Sequence, residues 1–224
     1  MKKKTIAIIP IRSGSKGIKH KNIKKLNKKR LVFYVVDEAL KSKVFSNILI
    51  STDSEKYINI LKKKYNNKVI YHKRSKSLST DLSSTDHLIL HILKDFKEYS
   101  SCTLIQATSP LLKSFDLEAG YRKFLVEKLD SLFSSYEFKK FVWKKINKKI
   151  SPLNYNPSKR PMRQKNNNFV LENGAFYIFN IKKFMKKKSR LFGDVGTYLM
   201  PEIRSGEIDS LEDFKLIEFI LKKI

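Results

Sequence analysis

The stretch TIAIIPIRSGSKGIKHKN, residues 5–22, decides the fold. It begins with a short, mostly apolar run that is long enough for a strand and too short for a helix. Because polar residues do not alternate through this run, we expect a strand covered on both faces, as in a parallel α/β sheet. The loop that follows carries two glycines, Arg12 and several lysines. These residues let the backbone approach an anion and supply positive charge to bind it.

This loop differs from two well-known phosphate-binding loops. It has neither the G-x-G-x-x-G spacing of dinucleotide-binding folds nor the G-x-x-x-x-G-K-[ST] spacing of the P-loop. A loop after the first strand of an open α/β sheet still lies at the carboxyl edge, where such sheets bind ligands. Two interpretations therefore remain, an anion site and a plain connection whose lysines face solvent.

Length and composition fit one α/β domain with, at most, a small appended subdomain. The chain has 224 residues, of which 41% are hydrophobic. Its apolar stretches are all shorter than the roughly 18 residues of a membrane-spanning helix, so we expect no membrane association. The single cysteine, Cys102, excludes an internal disulfide and predicts a protein of the reducing cytoplasm.

The net charge of +27 raises the alternative of a basic nucleic-acid-binding protein. However, the lysines are spread over nearly every predicted helix and loop, and no helix-turn-helix, zinc-finger or aromatic RNA-binding signature is present. We therefore expect no specific nucleic-acid partner. A polyanionic substrate would also gain from this charge, through electrostatic steering.

Strand and helix patterns alternate through the first half of the chain. The predicted strands are residues 5–9, 48–51, 68–71 and 101–106. The predicted helices between them are residues 31–43, 55–65 and 86–96. This alternation predicts an α/β fold with a Rossmann-like, doubly wound, mainly parallel sheet. Right-handed crossovers would bring Arg12, Asp53 and Gln106 to one edge of that sheet, although Asp53 could instead cap the helix after it.

The second half of the chain is less regular. Residues 131–165 mix aromatic side chains with lysines and end in a Pro- and Asn-rich loop, which is typical of a functional or partner-binding segment. Residues 169–180 return to a strand pattern, and Ser210 is a candidate cap for the last helix. Glu207 and Asp209 stand two residues apart, on the same side of an extended segment. They could bind a cation or could be solvent-exposed acids near a helix start.

Six segments resemble, in order, the signature segments of the CMP-sialic acid synthetases, also called acylneuraminate cytidylyltransferases. They are IPIRSGSKGIKHKN, ISTDS, RSKSLSTDLSST, LIQATSPL, ENGAFYIF and GEIDSLEDF. Together they span residues 5–214 with compatible spacing. The resemblance implies a single cytidylyltransferase domain over residues 1–224. It also implies that residues 131–168 form an excursion for dimerisation or substrate covering, and hence a homodimer.

The resemblance further implies that CTP and a nonulosonic acid react, with Mg²⁺, to give the CMP-sugar and pyrophosphate. The implied catalytic residues are Arg12, Lys21 and Asp209. The residues implied around the nucleotide are Arg12, Ser15, Lys16, Lys21, Asn22, Arg74, Ser83 and Thr85. Those implied around the sugar are Gln106, Lys144, Arg163 and Tyr177. Those implied to bind the metal are Asp209 and Glu207.

Three departures from the family pattern bear on the substrate. Glu207 stands where the family usually has an aspartate, and Ala107 stands where it usually has a proline. Residues 190–192, RLF, replace the paired phenylalanines that the sialic acid enzymes often carry. Sialic acid, legionaminic-type and pseudaminic-type sugars and 3-deoxy-octulosonate therefore remain alternatives for the sugar acid.

Overall fold

The computed structural model describes residues 4–15, 17–80, 83–162, 164 and 169–223. The strands, in chain order, are β1 (Thr5–Pro10), β2 (Lys25–Leu26), β3 (Lys29–Arg30), β4 (Asn47–Thr52), β5 (Ile70–Lys73), β6 (Ser101–Ile105), β7 (Ser131–Glu137), β8 (Trp143–Ile146), β9 (Lys149–Pro152), β10 (Val170–Asn180) and β11 (Val195–Leu199). The α-helices are α1 (Leu31–Ser42), α2 (Glu55–Tyr65), α3 (Thr85–Leu93), α4 (Ser114–Val126), α5 (Ile181–Lys187) and α6 (Leu211–Leu221).

Within the described residues, the central sheet has seven strands in the order β11-β7-β10-β6-β1-β4-β5. β1 pairs in parallel with both β4 and β6, β4 pairs in parallel with β5, and β11 pairs in parallel with β7. β10 runs antiparallel to its two neighbours, β6 and β7. The prediction of a mainly parallel sheet is confirmed, with β10 as the strand that runs against the rest.

The sheet is covered on both faces, as the unalternating apolar run of β1 predicts. Ala7 and Ile9 pack with side chains of α1, α2 and α4 on one face. Ile6 and Ile8 pack with α3 and with Phe184 of α5 on the other face. Since successive side chains of a strand point to opposite faces, only a run that is apolar throughout can supply both cores. The doubly wound arrangement is therefore confirmed.

The ends of the sequence-predicted elements shift by a few residues. The strand expected at 68–71 lies at Ile70–Lys73, and the helix expected at 86–96 lies at Thr85–Leu93. Ser210 caps α6 as predicted. Its hydroxyl accepts a hydrogen bond from Asp213 N at 3.1 Å, and the Asp213 carboxylate accepts one from Ser210 N at 2.8 Å. This reciprocal pair fixes the start of α6 directly after the acidic segment.

The segment 131–168, expected as one excursion, divides into two parts. Residues 131–137 form β7 inside the central sheet, where Ser131, Ser134 and Ser135 are buried. Their hydroxyls hydrogen-bond to neighbouring strands and loops, so a polar-looking sequence forms a buried strand. Outside the sheet, β8 and β9 form an antiparallel hairpin whose side chains are almost all exposed. The dimerisation role of this hairpin stays a prediction.

The described helices are short relative to the thickness of a lipid bilayer. The longest of them, α4, has 13 residues. In the part of the chain that the structure describes, no helix combines the length and the apolar character needed to span a membrane.

Candidate active site

A cavity of about 420 Å³ opens at the carboxyl edge of the sheet, beside the loop that follows β1. Four separate segments of the chain contribute to its walls. The predicted site residues that line it are Arg12, Ser15, Lys21, Asn22, Arg74, Ser83, Thr85, Gln106 and Asp209. The structure therefore brings most of the sequence-predicted site together in one place. Lys16 and Arg163 lie outside the described residues.

The loop after β1 is held by a carboxylate from the neighbouring strand end. Asp53 Oδ1 accepts a hydrogen bond from Ser13 N at 2.8 Å, and Asp53 Oδ2 accepts one from Ser13 Oγ at 2.7 Å. Burial alone would raise the pKa of Asp53, but the hydrogen bonds that its carboxylate accepts, chiefly from Ser13, and the nearby charge of Arg74 together hold that pKa below its usual value. The helix-cap alternative for Asp53 is wrong, because Ser54 caps α2 by accepting from Tyr57 N.

The far end of the same loop is fixed by two further contacts. Asn22 is buried, and its side-chain nitrogen donates to the carbonyl oxygen of Arg12 at 3.0 Å. Gly17 approaches the backbone of Asp209 so closely that an added Cβ would stand 2.6 Å from the Asp209 carbonyl oxygen. The loop therefore needs a glycine at this position, and it lies directly against the acidic segment.

Lys21 joins the loop to the acidic segment electrostatically. Its Nζ donates to the carbonyl oxygen of Ile208 at 2.7 Å and to Asp209 Oδ1 at 3.0 Å. The Lys21 side chain is only 13% exposed, whereas that of Asp209 is 74% exposed. The ammonium group is therefore held in place at the cavity wall before any ligand arrives.

Arg74 is the most enclosed cation of the cavity, with 8% of its surface exposed. Among the described residues, its Nε and Nη2 have no hydrogen-bond partner, and neither has the buried hydroxyl of Ser83. Burial lowers the pKa of Arg74, while the nearby Asp53 acts in the opposite direction. Buried donors normally have acceptors, so these groups at the cavity wall are suited to a ligand that carries acceptor atoms.

Glu207 and Asp209 lie near each other, and their environments differ. Glu207 Oε1 accepts a hydrogen bond from Thr108 Oγ1 at 2.8 Å, and its carboxylate packs against Gly174. Burial raises the pKa of Glu207, and the neighbouring negative charge of Asp209 adds to that effect. The oxygen atoms of two carboxylates are suitable ligands for a hard divalent cation. The described residues contain no group of three or more acidic, histidine or cysteine side chains for a metal, so further ligands would have to come from substrate or water.

The residues predicted around the sugar do not all meet at the cavity. Gln106 lines it, and its backbone N–H donates to the carbonyl oxygen of Ala175 at 3.0 Å. Tyr177 is buried on β10, and its hydroxyl donates to the carboxylate of Glu172. Lys144 lies on the exposed β8–β9 hairpin and is not among the residues that line the cavity.

Sequence reasoning missed two residues that hold the site together, Ser13 and Thr108. Ser13 fastens the loop to Asp53, and Thr108 orients Glu207. Each stands three residues after the last residue of a central strand, Ser13 after β1 and Thr108 after β6. That position, combined with a hydroxyl side chain, was a usable signal for both.

Relatives with known names support this picture. A family model described as cytidylyltransferase matches residues 6–218. The chain is 35% identical over 218 residues to N-acylneuraminate cytidylyltransferase A of Danio rerio, which covers 95% of this chain and 49% of that protein. It is 26% identical over 226 residues to pseudaminic acid cytidylyltransferase of Campylobacter jejuni, which covers 98% of this chain and 97% of that protein.

A solved structure shows the same fold. CMP:2-keto-3-deoxy-manno-octonic acid synthetase, complexed with CTP, superposes with a TM-score of 0.69 and 14% identity, covering 98% of this chain and 99% of that one. The chain spans about half the length of the Danio rerio relative and of other N-acylneuraminate cytidylyltransferases that it matches. Since the family model covers nearly all of the sequence, the chain belongs to the cytidylyltransferase family.

Proposed function

We propose that the protein transfers CMP from CTP to a nonulosonic acid and releases pyrophosphate. The observation that carries this proposal is the convergence of Arg12, Lys21, Arg74 and Asp209 on one cavity at the carboxyl edge of the sheet. These residues come from segments that match the family motifs and are far apart in sequence. The alternatives for the sugar acid are sialic acid, legionaminic-type and pseudaminic-type sugars and 3-deoxy-octulosonate.

In this proposal, the loop after β1 binds the triphosphate. Arg12 and Lys21 supply positive charge at the cavity wall, and the Asp53–Ser13 and Asn22–Arg12 contacts hold the loop in shape. The anomeric hydroxyl of the sugar acid attacks the α-phosphorus in line, the bond between the α- and β-phosphates breaks, and the hydroxyl proton is released. Negative charge then accumulates on the departing pyrophosphate, where cations held in advance lower the barrier.

The base and ribose would occupy the side of the cavity formed by Asn22, Arg74, Ser83 and Thr85. Support comes from the buried donors of Arg74 and Ser83, which lack partners among the described residues. Cytosine offers a ring nitrogen and an O2 acceptor and is small enough for such a pocket, whereas a purine is larger. We therefore expect CTP to be preferred over ATP.

Glu207 and Asp209 are the residues that would hold Mg²⁺. The ion would neutralise charge on the α-phosphate of the bound nucleotide. In the free protein, Lys21 partly offsets the charge of this acidic pair by its contact with Asp209. Asp209→Asn should therefore remove most activity while CTP still binds through the loop. Glu207→Asp, which restores the usual family residue, should be tolerated.

We also propose that the protein is a homodimer that works in the reducing cytoplasm. The β8–β9 hairpin and the segment after it expose apolar side chains, among them Trp143, Ile150 and Leu153 at 48%, 63% and 63% exposure. A second copy of the chain would remove this surface from water. The buried, unpaired Cys102 fits a reducing compartment. A monomer in light scattering at working concentrations would contradict the dimer.

The direct test is pyrophosphate release. CTP, UTP, ATP and GTP are each incubated with N-acetylneuraminate, legionaminate, pseudaminate or 3-deoxy-octulosonate, with Mg²⁺ or with EDTA. We expect release only with CTP, with one class of sugar acid and with Mg²⁺. ATP turnover comparable to CTP turnover, or no release with any sugar acid, would contradict the proposal.

A further inference from the structure

A half-buried polar cluster lies beside the Gln106 end of the cavity. β6 and β10 pair so that Tyr177 stands opposite Leu104, and the hydrogen bond from Gln106 N to Ala175 O continues this pairing past the end of β6. Tyr177 and Gln106 are therefore diagonal neighbours on the same face of the sheet. The cluster built on Tyr177 thus lies next to Gln106, on the side of the cavity away from Arg74, just outside the residues that line the cavity itself.

Arg190 covers Tyr177 and is held from two directions. The guanidinium carbon lies 4.9 Å from the centre of the Tyr177 ring. Its Nε donates to Asp86 Oδ1 at 2.7 Å, and the two side chains are only 21% and 22% exposed. Asp86 directly follows Thr85, which lines the cavity. Because the ring fixes the plane of the guanidinium and Asp86 fixes its rotation, Arg190 is oriented without any ligand.

The hydrogen-bonding capacity of Arg190 is mostly unused. Within the described part of the chain, its one hydrogen bond is the bond through Nε, which leaves the N–H groups of Nη1 and Nη2. These two nitrogens form a planar fork that matches two oxygens, or one strong planar acceptor, on a ligand. The nearby carboxylate of Glu172 is engaged by the Tyr177 hydroxyl, and burial together with this hydrogen bond raises the pKa of Tyr177.

We propose that Arg190 determines specificity by binding a planar oxygen acceptor of the sugar acid, either its carboxylate or an acylamino carbonyl. Asp86 is a positioning residue that orients the guanidinium. The inference rests on the proposed function, in which the family resemblance implies that Gln106 and Tyr177 lie near the sugar acid, and it adds Arg190 to that side. A nucleotide on the Arg74 side and a sugar acid on the Arg190 side would then face each other across the cavity.

The test is direct titration of the sugar acid by calorimetry in the presence of CTP and Ca²⁺, together with pyrophosphate kinetics. Arg190→Gln keeps a polar side chain but removes the charge and the fork. We expect sugar-acid affinity to fall about tenfold or more, as for the loss of a charged hydrogen bond, while the KM for CTP stays the same. Arg190→Lys should not restore affinity, because an ammonium group lacks the fork. Asp86→Asn should give a smaller loss of the same kind.

Two sugar acids distinguish the acceptor. One carries the acylamino group, and the other carries a hydroxyl in its place. A loss confined to the acylated sugar assigns Arg190 to the acyl carbonyl, and an equal loss with both assigns it to the carboxylate. Arg122→Gln, which removes an exposed positive charge on α4, on the other face of the sheet, is the matched control and should leave both affinities unchanged.

Unchanged sugar-acid affinity in a folded Arg190→Gln variant would overturn the inference. So would an equal rise in the KM for CTP, because that would show a general effect on the cavity. A wild-type protein that binds the sugar acid but releases no pyrophosphate would overturn the proposed function alone. A wild-type protein that binds no sugar acid would overturn both.

Discussion

Asp53 and Glu207 are two partly buried carboxylates that contact different parts of one site, the loop after β1 and Thr108 at the cavity wall, and their pKa values shift in opposite directions. Asp53 receives two hydrogen bonds from Ser13 and lies near Arg74, so its pKa is lowered despite burial. Glu207 receives one hydrogen bond, from Thr108, and lies near Asp209, so burial and like charge raise its pKa. Asp53 is electrostatically satisfied within the protein, whereas Glu207 is not.

This contrast separates a carboxylate that supports the fold of the loop from one that is suited to a ligand. The ionised form of Asp53 is stabilised by partners that are present in the free protein. The ionised form of Glu207 would be stabilised by an added cation. Among the described side chains, the positive charge of Lys21 offsets only part of the charge of Glu207. A raised pKa beside residues that line a cavity, here Thr108 and Asp209, with a like charge as one of its causes, is a recognised sign of a functional site.

The largest expected effect comes from removing the ammonium group of Lys21, which links the loop after β1 to the acidic segment. Lys21→Ala should lower turnover by roughly a hundredfold or more, because charge on the departing pyrophosphate then lacks a donor held in advance. Pyrophosphate release under saturating CTP measures this change. Lys19→Ala removes an exposed lysine of the same loop and should change turnover little. Near-normal turnover of a folded Lys21→Ala variant would show that the loop is not the phosphate site.

The second largest effect is expected for Asp53, the carboxylate that holds the loop after β1. Asp53→Asn retains one acceptor oxygen and loses the other, so one hydrogen bond from Ser13 is lost along with the charge. We expect kcat/KM for CTP to fall roughly tenfold, as for loss of a hydrogen bond to a charged group. Ser13→Ala keeps the backbone bond to Asp53 and should have a smaller effect. A larger loss in Ser13→Ala than in Asp53→Asn would contradict the role of Asp53 in holding the loop.

The smallest effect is expected for Glu207, where a substitution should stabilise the protein. Glu207→Gln can still accept the Thr108 hydrogen bond, but it removes a partly buried charge. In EDTA and without nucleotide, we expect the melting temperature at neutral pH to rise by a few degrees, about what 1 kcal/mol gives in a domain of this size. Activity should fall in the same variant.

The pH dependence of these two variants should have opposite signs. The pKa of Glu207 is raised by folding, so the stability of the wild-type protein falls as pH rises from the unfolded-state pKa to the raised value. The gain in stability from Glu207→Gln should therefore vanish in acid, where the wild-type carboxyl is protonated. The pKa of Asp53 is lowered by folding, so its contribution is present at neutral pH and is lost as pH falls through the lowered value. Melting curves from about pH 2 to pH 8 test both, since the loss for Asp53 falls in the acid part of this range. Parallel curves for the two variants would contradict the contrast.

Much of the fold was predictable because its signals are local. The unalternating run of β1 specifies a strand with two covered faces, and Ser210 with Asp213 specifies the start of α6. β7 was missed because Ser131, Ser134 and Ser135 make a buried strand look polar. Their partners are distant in sequence, at Phe192, Phe176 and Thr197. No local pattern contains that information.

The sequence predicted which residues belong to the candidate site better than it predicted which residues contact each other there. The family resemblance implied that Arg12, Asn22 and Arg74 surround the nucleotide, and they line one cavity. The role of Asp53 depends on a partner 40 residues away, so the sequence alone left the helix-cap alternative open. The orientation of Arg190 by Asp86 spans 104 residues, and only the packed structure brings the two together.

Trp143 is an intrinsic fluorescence probe of one region of the protein. It is the chain's only tryptophan, it lies on the β8–β9 hairpin with 48% exposure, and its ring stands 5.7 Å from that of Tyr155. Tryptophan emission therefore reports on the hairpin and not on the hydrophobic cores of the sheet. If two copies of the chain associate through the hairpin, tryptophan emission should shift to shorter wavelength, and dilution should reverse the shift. During chemical denaturation, it should change before the circular dichroism of the sheet does.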